Sequence, residues 1–520
     1  VDRSLLRTAA ILVGITVAVF SATLSADLVY DARLQILTDP FLHDPRNWLN
    51  VLTFRVLGMD VLDFNRPVHL ASLMLDAAVW GVNPFGYHLT SILLHAGNVL
   101  LVWLVVRALL GGDRAATGAP HPLVPVVAAL FFAVHPVVTE AVCEPTFRED
   151  LLAAAFTLAA VVLAARHAPE QGRDVRRGLG CAACCLLAVA SKESGVAAPF
   201  VLAAWWWLTS RRGTVAAGDA GFWRLAIGGG LAAVVVFLAA RFLLEPSPSR
   251  IFEARPEYPG GSLAESLKVE PRILALYAQL VACPVNLCAD YGGHSVRHIP
   301  LGLALVILTV LAVAGGIAAW RDRRIGFALA LVLLPLLPVS NLVPIYRAAA
   351  DRYLYLPLAG VACILACVLD ASWLRAKEPR RQAALLGSLA VVAVLAVGCV
   401  GRQRVWRSQL DLWADTYARN PGSFNGANGL AMALRDAGRA EESVEMARRA
   451  VNLSAGKRGD AWMTLALVYD AAGRTAEADD AAAKALELDP RLADPDARVA
   501  ALAMERAEAA AVKAILARRP

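Results

Sequence analysis

Charge is what this chain has least of. Asp, Glu, Lys and Arg make up 18% of its 520 residues, against about 25% in soluble globular chains. Hydrophobic residues reach 58% and the mean hydropathy is +0.54, so an ordinary soluble enzyme is excluded and an integral membrane protein is implied. Cysteine occurs nine times without forming a framework. Cys181, Cys184, Cys185, Cys363, Cys367 and Cys399 sit inside apolar runs, where cysteine behaves as a small hydrophobe. No C-x-x-C pair recurs with the partners of a structural zinc, although Cys283 and Cys288 are spaced to pair on an oxidising side. Walker, Rossmann and zincin patterns are missing, and the "GGG" at 228–230 lies inside an apolar run as a packing feature. No ligand set with clear metal spacing is present, so no cofactor is identified and a divalent cation has no support. The first apolar run has no convincing small-x-small cleavage site, so it is expected to stay as a span.

Long apolar runs are what is abundant. A helix needs about 20 apolar residues to cross the hydrocarbon core. Runs near 6–26, 86–110, 122–140, 150–167, 178–191, 195–210, 223–244, 300–320, 325–345, 351–371 and 382–400 predict about eleven crossings. The formal net charge is +6, but the basic residues stand in short clusters between these runs, a pattern of membrane orientation and not of nucleic-acid binding. Arg3 and Arg7, Arg107 and Arg114, Arg173, Arg176 and Arg177, Arg211 and Arg212, "RDRR" from Arg321, and "RAKEPRR" from Arg375 fall on one side if the N-terminus is cytoplasmic. Residues 245–299 must then stay outside, with "LKVEPRILALYAQLVACPV" as a helix that dips without crossing.

After residue 402 the composition turns polar and Ala-rich. "NGLAMALRDAGRAEESVEMARRAVNL" and "MTLALVYDAAGRTAEADDAAAKALELDP" align with Gly438 on Gly473 and Ala450 on Ala485. Trp462, Leu465, Tyr469, Gly473, Ala478, Ala485 and Pro490 occupy the packing positions of the tetratricopeptide pattern. The expected architecture is therefore all-α: a membrane domain over 1–402 and an extracytoplasmic tetratricopeptide (TPR) solenoid over 403–520. Its repeats fall at about 424–458 and 459–492, with degenerate helices at 493–520. "RQRVWRSQLDLWADTYARNP" reads as a capping helix, and such solenoids offer a groove for polypeptides.

Charged side chains at the ends of spans are costly, and raise a functional hypothesis. Four groups gather at the outer ends. The first loop holds Asp31, Arg33, Arg66, His69, His88 and His95; "AVHPVVTEAVCEPTFREDLLA" holds His135, Glu140, Glu144, Arg148, Glu149 and Asp150; "ASKESG" holds Lys192 and Glu193; "AAADRYLYLP" holds Asp351, Arg352, Tyr353 and Tyr355. His95, on an apolar helix, reads as an interhelical hydrogen-bonder. The remaining mixture fits a lipid-phosphate-linked sugar donor. Its phosphate would lie on Arg352, Lys192 or Arg148, and Asp31 would be general base toward an acceptor hydroxyl.

The stretches "LVYDARLQI", "NRPVHLASLMLDAAVWGVNPFGYHLTSILLHAGNVLLV", "LFFAVHPVVTEAVCEPTFREDLLA", "ASKESGV", "NLCADYG" and "DRYLYLPLAGV", followed by a TPR tail, resemble the transmembrane and tetratricopeptide-repeat (TMTC-type) protein O-mannosyltransferase family and its bacterial relatives. The resemblance implies a GT-C fold of about eleven spans and a polyprenyl-phosphate sugar as donor. It also implies inverting transfer of a mannose-like hexose to Ser/Thr of secreted proteins, with repeats that recruit the acceptor in the periplasm or ER lumen. Asp31, with Glu140 or Asp150 as partner acid, would be catalytic. Arg33, Arg66, His69, His88, His135, Arg148, Lys192, Glu193, Arg352, Tyr353 and Tyr355 would bind substrate. The family's first loop carries two adjacent acids, whereas here "YDAR" puts Ala32 second. That departure favours the alternative, a catalytically silent membrane-anchored TPR scaffold; the retained basic and aromatic cluster favours the enzyme.

Overall fold

The computed structural model describes residues 3–111, 121–166, 175–210, 220–245, 258–292, 298–375, 378–500 and 504–518. Arg114, Arg173, Arg211, Arg212 and Lys377 of the basic loops lie outside them. All regular structure among the described residues is helical.

Each predicted span is helical over most of its length. Six helices are long and apolar enough to cross a membrane: Arg3–Ser25, Pro84–Gly111, Ala220–Leu244, Leu301–Arg321, Asp351–Trp373 and Pro379–Trp406. A seventh is broken, with Leu123–Val134 and Pro136–Cys143 meeting at 48°. Pro136 supplies no N–H to continue the first helix, and the His135 ring accepts the Val137 N–H to start the next turn. The other four predicted spans are the shorter helices Arg148–Ala165, Val175–Ser191, Ala198–Ser210 and Arg323–Leu333, which pack against one another and against the long helices. The ninth run ends as a 3-10 turn, Leu334–Val339, because Pro335 and Pro338 remove two helical donors. Leu263–Ala282 is the amphipathic helix of the long loop. It turns Ile273, Leu276, Tyr277 and Leu280 onto Val137, Leu336 and Leu354, and it is not among the helices apolar enough to cross.

Beyond the last long helix, the capping helix Gln409–Arg419 leads into two helical pairs: Phe424–Asp436 with Ala440–Leu453, and Gly459–Ala471 with Thr475–Leu488. Gly438 and Gly473 end the first helix of each pair at the same φ of +73°, a conformation that costs glycine little. Ala447, Ala450, Ala478, Ala482 and Ala485 are fully buried, so the helices of each pair approach closely. The helix Arg506–Ala517 packs on the second pair.

Cys283 and Cys288 remain free thiols, the first exposed and the second buried with its Sγ on the Asp290 carbonyl. Treatment with a reductant is therefore expected to leave the melting temperature unchanged; a drop on reduction would reveal a bond between them.

Candidate active site

The ends of several helices converge on the face that carries the C-terminal module. The Asp27 N–H bonds the Arg407 carbonyl at 3.0 Å, Arg66 pairs with Glu193 at 3.0 Å and also with Glu149, and Arg352 pairs with Glu140. Asp290 accepts from Ser423. Loops far apart in sequence thus share one surface, and Asp31 stands on it.

Asp31 opens the short helix Asp31–Thr38. The residue before it, Tyr30, has φ 55° and ψ −131°, which a non-glycine residue holds only where its surroundings fix it. Asp31 is exposed, and its carboxylate makes no hydrogen bond or ion pair to another described residue. It faces open space although protein crowds around it. That crowding raises its pKa above the usual carboxylate range, and Arg347 and Arg352 pull it part of the way back.

The neighbouring acids are all engaged. Glu140 accepts the Arg352 N–H at 2.8 Å as well as its guanidinium. Asp150 and Glu149 hold the Lys192 ammonium, Glu149 at 3.0 Å, and Asp351 takes the Tyr291 hydroxyl at 2.6 Å. Glu144 accepts the Ala32 N–H at 2.7 Å, the Thr146 N–H and hydroxyl at 2.6 Å each, and the Phe147 N–H at 3.0 Å. It therefore grips the backbone next to Asp31.

Arg352, Tyr353, Lys192 and Asp150 come together. The guanidinium of Arg352 lies 3.9 Å from the Phe147 ring centre and 5.2 Å from that of Tyr353, and Lys192 Nζ lies 5.2 Å from the same tyrosine ring. Asp150 and Tyr353 open onto a crevice walled by Ala153, Ala154, Pro335, Val339, Leu356 and Pro357. Arg66, Glu193 and His69 form an adjoining cluster with Asp63 and Glu149, the His69 Nε2 standing 3.7 Å from Asp63. Two buried donors, the Tyr30 hydroxyl and Arg352 Nε, have no partner among the described residues.

Five predicted binders stand elsewhere. Arg148 is fully buried, and every nitrogen of its guanidinium is used, on Asp76, Ser72, Tyr87 and Pro145; it holds helices together and has no face left for a phosphate. The Tyr355 hydroxyl meets His95 at 2.7 Å and Asn98 at 3.1 Å between helices, so His95 is the interhelical bonder its position predicts. His135 bonds the Val281 carbonyl at 3.1 Å, and His88 lies against the backbone of Ala26 and Asp27. Arg33 turns to Glu505 at 2.8 Å and Asp436 at 3.4 Å in the C-terminal module.

Sequence reasoning did not select Arg347, Tyr30 or Trp413. Arg347 pairs with Asp290 at 3.2 Å and lies 5.6 Å from the Tyr30 ring centre. Tyr30 stacks on Trp413, with centroids 5.5 Å apart and planes at 27°. Tyr30 stood beside Asp31 in a motif that was read, and this was the only signal available for it. Among the described residues, no group of three or more His, Cys, Asp or Glu is placed to hold a metal ion.

A many-helix integral membrane protein with a C-terminal TPR module is the class these features define. Residues 459–492 match the tetratricopeptide repeat model. By sequence the chain is a relative of the TMTC-type protein O-mannosyl-transferases. It is 23% identical over 454 residues to protein O-mannosyl-transferase F38B6.6 of Caenorhabditis elegans, covering 82% of this chain and 61% of that protein. It is 25% identical to Tmtc3 of Drosophila melanogaster, covering 82% and 52%, and 32% identical to mouse TMTC2 over 187 residues, covering 34% and 21%. The chain thus spans little more than half the length of the relatives it matches most extensively. The crystal structure of ArnT from Cupriavidus metallidurans, bound to undecaprenyl phosphate, aligns over 97% of this chain and 87% of that one at 15% identity and a TM-score of 0.40; a likeness of that size supports no argument.

Proposed function

We propose that this protein is an inverting GT-C glycosyltransferase that moves a hexose from a polyprenyl phosphate to Ser/Thr hydroxyls of secreted polypeptides. One observation carries the reading: an exposed, unbonded carboxylate, Asp31, stands in the field of the half-buried Arg347 and the buried Arg352. The isoprenoid tail lies between the spans, and a phosphate at their outer ends meets Lys192, Arg352 and Arg347. The free Arg352 Nε and Tyr30 hydroxyl suit its oxygens. The acceptor hydroxyl attacks the anomeric carbon and gives its proton to Asp31, while the bond from that carbon to the phosphate oxygen breaks. The cations take up the charge left on the lipid phosphate, a preorganised stabilisation that water cannot match. The names of the relatives support mannose as the sugar. The Lys/Arg pattern supports a cytoplasmic N-terminus and an extracytoplasmic site, with the TPR module beside it to recruit acceptors.

The test is transfer from radiolabelled polyprenyl-phosphate mannose, and from the glucose analogue, to secreted protein in membranes containing the chain. Label in protein from the mannose donor is the expected result. Transfer from neither donor would sink the reading and leave the silent scaffold in its place.

A further inference from the structure

The segment that carries Asp31 is held from two sides. From the membrane domain, Glu144 holds the Ala32 N–H. From the C-terminal module, three contacts bracket Asp31 in sequence. The Asp27 N–H bonds the Arg407 carbonyl, the Tyr30 ring stacks on Trp413, and Arg33 pairs with Asp436 and Glu505. Trp413 is itself wedged: its indole lies so close to Gly429, in the first repeat helix, that a Cβ there would fall 2.3 Å from the ring. A side chain at 429 has no room unless Trp413 moves. Tyr30, squeezed between Trp413, Trp406 and Phe147 with Arg347 over its face, keeps the positive φ that sets the direction of the Asp31 helix.

We infer that the C-terminal module does more than collect acceptors: through the chain Gly429–Trp413–Tyr30 it positions the Asp31 carboxylate. Trp413 is a positioning residue that acts through Tyr30, and the capping helix backs the segment that carries Asp31. This rests on the reading of Asp31 as base. Recruitment and positioning separate cleanly in donor hydrolysis, where water replaces the acceptor hydroxyl. Water attacks the anomeric carbon, its proton passes to Asp31, and the lipid phosphate leaves. No acceptor polypeptide takes part.

The experiment compares wild type, Trp413→Ala, Trp413→Phe and Gly429→Ala in full-length chain purified into lipid. It measures donor hydrolysis, transfer to protein, and amide exchange over residues 27–38. Trp413→Ala is expected to lower kcat about 10- to 100-fold in both reactions, the scale of a misplaced catalytic group, with the KM for acceptor little changed. Exchange at Asp27 and Ala32 should rise. Gly429→Ala, which pushes the indole aside without removing it, should follow in the same direction, and Trp413→Phe, which keeps a stacking ring, should restore most of the rate. Hydrolysis at the wild-type rate in Trp413→Ala, with transfer to protein alone reduced, would overturn the inference in favour of recruitment. Unchanged exchange over 27–38 would overturn it too. If the wild type neither transfers nor hydrolyses, the proposed function fails, while the exchange arm still decides whether Trp413 holds the segment.

Discussion

Asp31→Asn is expected to lower sugar transfer about 10²- to 10⁴-fold, the usual contribution of a general base, and to leave the melting temperature where it was. Asparagine matches aspartate in size but cannot take a proton from the acceptor hydroxyl. Stability should be spared because the carboxylate is exposed and unbonded, so nothing buried loses a partner. The pH profile gives a second handle. Crowding by protein raises the pKa of Asp31, and Arg347 and Arg352 lower it. The base works only when ionised, so transfer should rise with pH through that raised value, and its acid limb should lie above the ordinary carboxylate pKa of about 3.9. Replacing Arg347 with glutamine removes the larger of the two opposing influences, so the acid limb should move further up. Transfer by Asp31→Asn at the wild-type rate would remove Asp31 from the chemistry. An acid limb that stays still in Arg347→Gln would separate Arg347 from Asp31.

What hydropathy determines was legible in the chain. Apolar length located the seven helices, counting the bent pair as one, that are long and apolar enough to cross, since a helix crossing lipid must be long and greasy whatever surrounds it. The other four runs form helices that fall short of that measure. The glycine and alanine spacing of the tail likewise required paired helices. Within the site, what sequence can place is what depends on neighbours in the chain, such as Asp31 at the start of its helix. Arg148 shows the opposite case. Its charge at the end of a span suggested a ligand, but whether a guanidinium is free depends on Asp76 and Ser72, which the fold alone brings near. Ala32 is more instructive. Read as a missing second acid, it instead offers its backbone N–H to Glu144, so an acid does support the first loop, from a hairpin more than a hundred residues further along. Glu140 and Asp150, the partners expected from sequence, are held by Arg352 and Lys192. Tyr30 and Trp413 were invisible for the same reason: stacking across such a separation leaves no periodicity to read.

The second large effect is expected at Asp290, in the "NLCADYG" stretch. This carboxylate is 5% exposed, and four donors converge on it. The Gly292 N–H and Arg347 reach Oδ1, each at 3.2 Å, while the Ser423 hydroxyl and the Asn425 amide, at 3.2 Å, reach Oδ2. The Asn420 amide adds bonds to the carbonyls of Asp290 and Gly292 at 3.1 and 2.8 Å. Asp290 therefore ties the first repeat to the membrane domain and also fixes Arg347 beside Asp31. Asp290→Ala takes the carboxylate away from the half-buried Arg347, the buried Ser423 hydroxyl and the half-buried Asn425 amide, a loss of about 1–3 kcal/mol for polar groups left unsatisfied. The expected result is a clearly lower melting temperature together with faster proteolytic cleavage between the last long helix and the capping helix. Transfer should fall as well, because Arg347 loses its anchor. Asp290→Asn keeps an acceptor oxygen and should lose less stability than alanine, yet it should still loosen Arg347. Wild-type melting and cleavage in Asp290→Ala would mean that the module is held instead by the Tyr30 and Arg33 contacts and by the ion pair of Arg402, at the end of the last long helix, with Asp415 of the capping helix. In that case Trp413, and not Asp290, is where the two halves of the site are joined.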